Sequence, residues 1–140
     1  MVVTIIEGGE LARVLVRFLL LLGHKINLIK YKVEADDGIL KESGVNLIQS
    51  DATDISILTE PCILQSDIVI ALMDRDADNL LLSLSVKKHN STTKTITRVS
   101  NSKYKSKYEK LGIDAAFDYT SVLSGLQEMV VQTDNDESIY

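Results

Sequence analysis

Short apolar runs alternate with stretches of helical periodicity along the whole chain. The runs are rich in β-branched residues and are bounded by glycine or polar residues, which is typical of buried strands. Regular alternation of strands and helices predicts a mainly parallel sheet covered by helices. The six predicted strands are Val2–Ile6, Ile26–Tyr31, Val45–Ile48, Ile68–Leu72, Lys94–Val99 and Ala115–Phe117.

Helical segments are predicted between these strands. The first runs from about Glu10 to Leu22 and ends at Gly23, because glycine is a common residue just after a helix. The clearest amphipathic helix is Asp76–Lys88, in which four positions recur at helical spacing: Leu80, Leu81, Leu84 and Ser85. Shorter or weaker helices are expected up to Lys41, between Asp54 and Pro61, at Lys103–Leu111 and at Ser121–Val131.

Together these elements predict a single α/β domain over residues 1–131. We expect a Rossmann-like, doubly wound fold with a mainly parallel six-stranded sheet and helices on both faces. Residues 132–140 are acidic and polar, and they are expected to form a flexible tail or to pack on a partner.

The composition indicates an ordinary globular protein. Hydrophobic residues make up 45% of the 140 residues and charged residues 25%, a balance that argues against disorder. The net charge of -5 gives no general attraction to nucleic acid or to an anionic membrane. The single cysteine fits a reducing compartment, and the apolar stretch Val14–Leu22 is too short for membrane insertion and contains Arg17. We therefore expect a soluble cytoplasmic protein.

The turn after the first strand has the position of a nucleotide-binding glycine loop. Against the pattern G-x-G-x-x-G, its three glycine positions hold Glu7, Gly9 and Ala12, so the turn alone is weak evidence. Glu7 adds bulk where a tight turn is expected, and Glu7 and Glu10 place negative charge beside the expected phosphates. Two interpretations of Glu7 stay open: its carboxylate occupies the anion site at the helix amino terminus, or it is a surface residue without a role.

The end of the second predicted strand is also unusual. An acidic residue commonly holds a ribose there, and this chain has Lys30, followed by Tyr31 and Lys32. Two interpretations are open: the lysines receive a phosphate, on the adenosine 2′ position or at the end of a triphosphate, or they form a solvated edge. Both anchors of the nucleotide are altered, so these residues do not establish nucleotide binding.

Five later segments resemble consecutive motifs of one family. They match G-D-A-T, A-D-x-V-I-A-L, D-x-x-N-L-L, A-R-V-x-N and F-E-K-L-G-A-D, at Ser50–Asp54, Ser66–Leu72, Asp76–Leu81, Thr97–Asn101 and Tyr108–Asp114. From Val2 to about Leu123 the chain is thus similar to the RCK or KTN family, also called the TrkA N-terminal domain. Members are cytoplasmic regulatory domains of potassium channels and transporters.

The resemblance implies an adenine nucleotide, NAD(H), ATP or ADP, and residues that contact it. In relatives the glycine turn holds phosphates, an aspartate–alanine pair lies beside the adenine, and an arginine on the fifth strand is a candidate phosphate partner. The glycine turn is matched by Gly8, Gly9 and Leu11, and the aspartate–alanine pair by Asp51 and Ala52, with Thr53 beside them. The arginine is matched by Arg98, and an asparagine at a helix start by Asn79. Asp51 and Asn79 have an alternative role as turn or capping residues, and Arg98 as an ion-pair partner. Arg98 and Ser100 stand where calcium-binding relatives carry carboxylates, which disfavours a calcium site.

Residues that would indicate catalysis are not evident. The Tyr-x-x-x-Lys pair of short-chain dehydrogenases is missing, His24 and His89 stand at predicted helix ends, and Cys62 has no obvious basic partner. No Cys/His cluster has zinc spacing. In the lysine-rich stretch after the fifth strand, Tyr104 and Tyr108 lie one helical turn apart and are predicted to pack inward rather than to bind RNA.

The resemblance therefore leads to a regulatory hypothesis rather than a catalytic one. The domain is expected to form a homo-oligomer, a dimer or a higher ring, and to control potassium transport through an integral-membrane channel or transporter. A nucleotide in the strand-end cleft, or the partner itself, would favour one arrangement of paired domains. Two alternatives stay open: a degenerate assembly module that no longer binds nucleotide, and a fragment of an NAD(P)-dependent oxidoreductase.

Overall fold

A computed structural model describes residues 1–38, 40, 44–118 and 120–137. The strands are β1 (Val2–Ile6), β2 (Lys25–Lys30), β3 (Asn46–Gln49), β4 (Ile68–Ala71), β5 (Lys94–Val99) and β6 (Ala115–Asp118). They form one sheet in the order β3-β2-β1-β4-β5-β6, and every neighbouring pair is parallel. The prediction of a six-stranded, mainly parallel sheet is confirmed.

Five α-helices and three 3₁₀-helices connect the strands of the described chain. The α-helices are α1 (Gly9–Leu21), α2 (Pro61–Leu64), α3 (Asp76–His89), α4 (Lys105–Lys110) and α5 (Thr120–Glu137). The 3₁₀-helices are Ala35–Asp37, Ile55–Thr59 and Ser102–Tyr104. The first of these lies within the segment predicted to be weakly helical up to Lys41, but Lys41 itself lies outside the described residues.

Alternate residues of β1 face opposite layers of helices. Ile5 belongs to a buried cluster that contains Val16 of α1, whereas Ile6 belongs to a second cluster that contains Leu82 of α3. Because consecutive side chains of a strand point to opposite faces, α1 and α3 cover opposite sides of the sheet. This arrangement confirms the doubly wound fold, in which ligands bind beyond the carboxyl ends of the strands.

The buried face of α3 differs from the predicted stripe. The helix is confirmed, but Leu81 is 63% exposed and Leu80 and Leu84 are only partly buried. The fully buried positions are Asn79, Leu82, Ser83 and Val86. Two of these are polar and form hydrogen bonds inside the protein, one of them between the Ser83 and Thr97 hydroxyls, so apolar periodicity could not identify the face.

Two shorter segments also differ from their predictions. The helix capped by Asp54 ends before Pro61 as predicted, but Pro61 then begins α2, because proline is well tolerated in the first turn of a helix. Tyr108 packs inward as predicted, whereas the inward packing of Tyr104 is wrong. Its ring is 38% exposed, and the Lys103 and Lys107 ammonium groups lie 5.3 and 5.4 Å from its centroid.

The last helix is longer than predicted. α5 continues six residues beyond the predicted end at Val131, so residues 132–137 are helical, and residues 138–140 lie outside the described part. Several apolar side chains of α5 are exposed by more than half: Leu126, Met129, Val130 and Val131. Among the described residues, no helix combines the length and the hydropathy that crossing a bilayer requires.

Candidate functional site

A cleft of about 500 Å³ lies beyond the carboxyl ends of β1, β2, β4 and β5. The strand order reverses at β1, which pairs with β2 on one side and with β4 on the other. Four acidic and four basic residues line the cleft: Glu7, Glu34, Asp74, Asp78, Lys30, Lys32, Arg75 and Arg98. Gly8, Gly9, Tyr31 and Met73 complete the lining. Of the residues predicted to bind the ligand, Glu7, Gly8, Gly9, Lys30 and Arg98 line this cleft.

The turn between β1 and α1 consists of three residues with positive φ. These are Glu7 at 61°, Gly8 at 103° and Gly9 at 52°. A Cβ atom on Gly8 would lie 2.7 Å from Cδ1 of Leu72, whereas a Cβ on Gly9 would meet nothing within 4 Å. The absence of a side chain at Gly8 therefore allows α1 to approach the end of β4. At Gly9 there is space for a side chain, so glycine serves there only by adopting a positive φ.

Glu7 occupies the cleft in a way that the sequence did not indicate. Its carboxylate accepts a hydrogen bond from the backbone N–H of Tyr31, just after β2, and its own N–H donates to the Ile29 carbonyl at 2.8 Å. We therefore correct the interpretation that the carboxylate sits on the amino-terminal amides of α1. Among the described residues, no side chain caps that terminus. The other interpretation, a surface residue without a role, is not tested by these contacts.

Lys30 is not a solvated side chain. It is 7% exposed, and its ammonium lies 2.8 Å from the Asp37 carboxylate. Asp37 is fully buried and also accepts hydrogen bonds from the Arg13 guanidinium at 3.1 Å and from the Glu34 amide at 2.7 Å. We call Asp37 with Lys30, Arg13 and the Glu34 amide the Asp37 cluster. The solvated edge is therefore wrong for Lys30, whereas binding of a phosphate by this residue, which lines the cleft, stays a prediction.

The Asp37 cluster keeps its carboxylate ionised. Burial alone would raise the pKa of Asp37, but the hydrogen bonds from Lys30, the Glu34 amide and Arg13, together with the charge of Lys30, lower it below its ordinary value. Sequence reasoning missed Asp37 and Arg13. The available signal was an arginine on a mainly apolar helix, and it did not indicate which acid the arginine meets.

The predicted adenine-side residues lie beside the cleft rather than in it. Ala52 and Thr53 line a separate cavity of about 50 Å³, which shares Asp78 with the cleft. The Asp51 carboxylate accepts hydrogen bonds from the hydroxyl and the amide of Thr53, at 2.6 and 2.9 Å. These bonds hold the pKa of Asp51 below its ordinary value. Asp51 thus has the geometry of a turn residue, one of the two roles left open for it.

Asn79 links two strand ends and contributes little accessible surface. Its side chain is fully buried, its amide donates to the Met73 carbonyl, and its oxygen accepts from the Met73 N–H, both at 2.8 Å. A longer bond of 3.4 Å reaches the Arg98 carbonyl. Asn79 thus holds the turn between β4 and α3, and it is not a helix cap, because no described side chain caps the amino terminus of α3.

The remaining predicted residues have separate positions. Arg98 lines the cleft, and its guanidinium lies 3.9 Å from the Asp74 carboxylate. Glu10 is exposed and pairs with Arg13 at 3.5 Å, so its carboxylate points to a neighbour on α1. The Leu11 side chain packs against the core, which leaves its backbone amide as its contribution to the turn.

The cleft has the chemistry of a binding site for a polar ligand. Its lining contains no histidine, and no described group of three or more His, Cys, Asp or Glu side chains has the geometry of a metal site. His24 and His89 contact the amino terminus and the Ser85 carbonyl instead. The Cys62 side chain lies outside the described part of the chain. Backbone amides at the start of α1, Arg75 and Arg98 are groups that can bind an anion.

The sequence matches a model of the TrkA-N domain over residues 3–118. A Trk system potassium uptake protein TrkA homolog from Methanothermobacter thermautotrophicus is 30% identical over 131 residues, which cover 94% of this chain. The chain spans only 60% of that relative's length.

Solved structures share the fold. Kef CTD from Shewanella denitrificans in its AMP-bound form superposes with a TM-score of 0.79 at 16% identity, covering 95% of this chain and 81% of that one. The GsuK channel bound to NAD gives a TM-score of 0.70 at 21% identity, covering 86% of this chain and 22% of the channel. At such identities the likeness shows the fold alone.

Proposed function

The chain belongs to the TrkA-N domain family, and from that membership and the geometry of the cleft we propose that it is a nucleotide-responsive regulatory domain of a potassium transport system. The ligand class proposed is an adenine nucleotide, NAD(H), AMP, ADP or ATP. This domain would act from the cytoplasmic side on an integral-membrane channel or transporter, through a change of arrangement rather than through a reaction.

One observation carries the proposal: the cleft lies where the strand order reverses and opens beside an uncapped helix amino terminus. Amides at such a terminus favour a phosphate, and Gly9 leaves them open because it carries no side chain. Arg98, on the opposite side of the cleft, adds a guanidinium able to bind a second phosphate oxygen. The named ligands of the two solved structures, AMP and NAD, belong to the proposed class.

The test is a thermal-shift titration of the whole chain with NADH, AMP, ADP and ATP. A ligand at a hundred times its Kd stabilises the folded state by about 2.7 kcal/mol, which raises the Tm of a domain this size by roughly 5 °C or more. Arg98→Gln should weaken the effect. Its matched control is Lys94→Gln, which removes an exposed charge from the opposite end of the same strand. Absence of a shift with all four nucleotides would contradict the proposal.

A homo-oligomer is the second part of the proposal, and two exposed apolar surfaces support it. The outer face of α1 exposes Val14, Phe18, Leu21 and Leu22, and α5 exposes Leu126, Met129, Val130 and Val131. A helix of this length gains most of its stability from packing, and among its described side chains, Ser124 to Asn135, none is buried. Sedimentation velocity tests this part: we expect a dimer or a larger ring, and Met129→Glu should shift the population towards monomer.

The degenerate assembly module is the second candidate, and one observation favours it. Glu7 occupies part of the cleft, Lys30 is neutralised by Asp37, and the acidic and basic residues of the lining balance. The two candidates separate in one experiment. A stable oligomer that ignores every nucleotide, in which Glu7→Gly restores a thermal shift, would identify a cleft closed by its own carboxylate. The third alternative, an oxidoreductase fragment, would require turnover of a nicotinamide.

A further inference from the structure

The residue that ends β2 is a lysine, and the residue that follows β1 is an acid. In dinucleotide-binding folds a carboxylate at the end of β2 receives the ribose hydroxyls of the adenosine. Here β2 ends at Lys30, whose ammonium is held by Asp37. Glu7 lies on the neighbouring strand end, opposite Lys30 in the parallel register that pairs Ile6 with Ile29.

The Glu7 carboxylate reaches the place that this acid would occupy. It accepts the N–H of Tyr31, the first residue after β2, and Glu7 and Tyr31 both line the cleft. The bond to Tyr31 uses one oxygen, Oε1. A carboxylate offers about four lone-pair sites, so accepting one N–H leaves capacity for the two hydroxyls of a ribose.

The backbone of Glu7 supports a functional role for this side chain. Within the described residues it is the one non-glycine residue with positive φ, at 61°. Such a conformation is unfavourable for a non-glycine residue, and strained residues cluster at ligand sites. The strained backbone conformation and the bond to Tyr31 together direct the carboxylate towards the end of β2.

We propose that Glu7 receives the ribose hydroxyls of the bound nucleotide and makes the cleft reject a 2′-phosphate. This inference rests on the proposed function, because it requires that an adenine nucleotide binds. A 2′-phosphate would bring its negative charge against the carboxylate. The Lys30 ammonium cannot offset that repulsion while it is paired with Asp37. The selected class is therefore the adenine nucleotides with a free 2′-hydroxyl.

Calorimetric titration with three probes tests the inference: AMP, 2′-deoxy-AMP and adenosine 2′,5′-bisphosphate. For the unaltered chain we expect AMP to bind most tightly and each of the other two about tenfold more weakly or worse, the loss expected for one hydrogen bond to a charged group. In Glu7→Gln, whose amide oxygen can still accept the Tyr31 N–H, the preference for AMP over the bisphosphate should fall about tenfold or more.

Glu109→Gln is the matched control, because it removes the same charge from the exposed surface of α4. It should keep the preference of the unaltered chain, and a Tm close to the unaltered value would show that each variant is folded. The same ratio of Kd values in all three proteins would overturn the inference while leaving the proposed function intact. Tighter AMP binding by Glu7→Gly would also overturn it, since Glu7 would then compete with the ligand. If the unaltered chain binds the bisphosphate most tightly of the three probes, the inference is also overturned. That result would indicate that Lys32 contacts the 2′-phosphate.

If the unaltered chain and Glu7→Gly bind none of the three probes and show no thermal shift with NADH, ADP or ATP, the proposed function fails and the inference falls with it. The two failures are therefore distinguishable: one is the absence of binding, and the other is binding without the expected preference.

Discussion

The two halves of the cleft satisfy their buried polar groups in opposite ways. At the ends of β4 and β5, the neutral amide of Asn79 bonds both backbone groups of Met73. At the ends of β1 and β2, polar groups are satisfied by charged side chains, those of the Asp37 cluster and of Glu7. The first arrangement depends on local hydrogen bonds, and the second depends on charges brought together from separate elements.

This difference predicts how each half responds to change. An amide network does not titrate in the physiological range, whereas a buried ion pair depends on both partners being ionised. We therefore expect the β1–β2 half to be more sensitive to the loss of a charge and to acid. In the β4–β5 half, loss of the Asn79 hydrogen bonds should cost more than loss of a charge, because the carboxylate of its ion pair, Asp74, is exposed.

The largest expected effect is that of Asp37→Asn. The substitution removes the carboxylate that pairs with the buried Lys30 ammonium, and losing one partner of a buried pair costs about 3 kcal/mol. Urea unfolding followed by circular dichroism measures this free energy. As a control, Asp51→Asn removes an exposed carboxylate from a turn that asparagine also favours, and it should cost under about 0.5 kcal/mol. Equal losses in the two variants would contradict the difference between the halves.

A smaller loss is expected for Asn79→Ala. The alanine leaves the N–H and the carbonyl of Met73 without their partner, and unsatisfied buried groups together cost about 2 kcal/mol. The same unfolding experiment applies. Ser83→Ala, one turn further along the buried face of α3, removes a single side-chain hydrogen bond and should cost about 1 kcal/mol. A larger loss for Ser83→Ala would show that the amide of Asn79 is not what holds these strand ends.

The smallest effect is a dependence on pH. Because the pKa of Asp37 is lower in the folded state than in the unfolded chain, its contribution to stability is fully present above the unfolded value of about 3.9. It is lost as the pH falls through the folded pKa. The stability difference between the unaltered chain and Asp37→Asn should therefore be constant from about pH 7 to pH 5 and narrow below about pH 4. The stability difference between the unaltered chain and Asn79→Ala should not narrow over this pH range. If it narrows for both variants, the proposed difference between the two halves of the cleft is contradicted.

The sheet was predictable because its central strands β1, β2 and β4 are buried on both faces and appear in the sequence as mainly apolar runs. All six strands lie within one residue of their predicted bounds at each end. β5 has the predicted bounds, Lys94 and Val99. The buried face of α3 was not predictable in the same way, because Asn79 and Ser83 are polar and are buried through bonds to other elements.

The cleft was predictable only in outline. The position of the cleft can be predicted from the fold, and the turn residues that line it can be predicted from the glycine pattern. The partner of Lys30 did not follow, because Asp37 stands seven residues away in a segment without strong periodicity. The direction of the Glu7 side chain depends on a φ of 61°, which a sequence pattern built on glycine does not specify for glutamate.

The contact between Gly8 and Leu72 also restricts which variants of this protein can arise by single changes. Any larger residue at position 8 places its Cβ 2.7 Å from Cδ1 and 2.9 Å from Cβ of Leu72, so shortening Leu72 relieves only part of the overlap. The φ of 103° would still disfavour a side chain. Positions 8 and 72 therefore form a coupled pair, and a library that randomises the turn will retain glycine at position 8 unless position 72 and the backbone change with it.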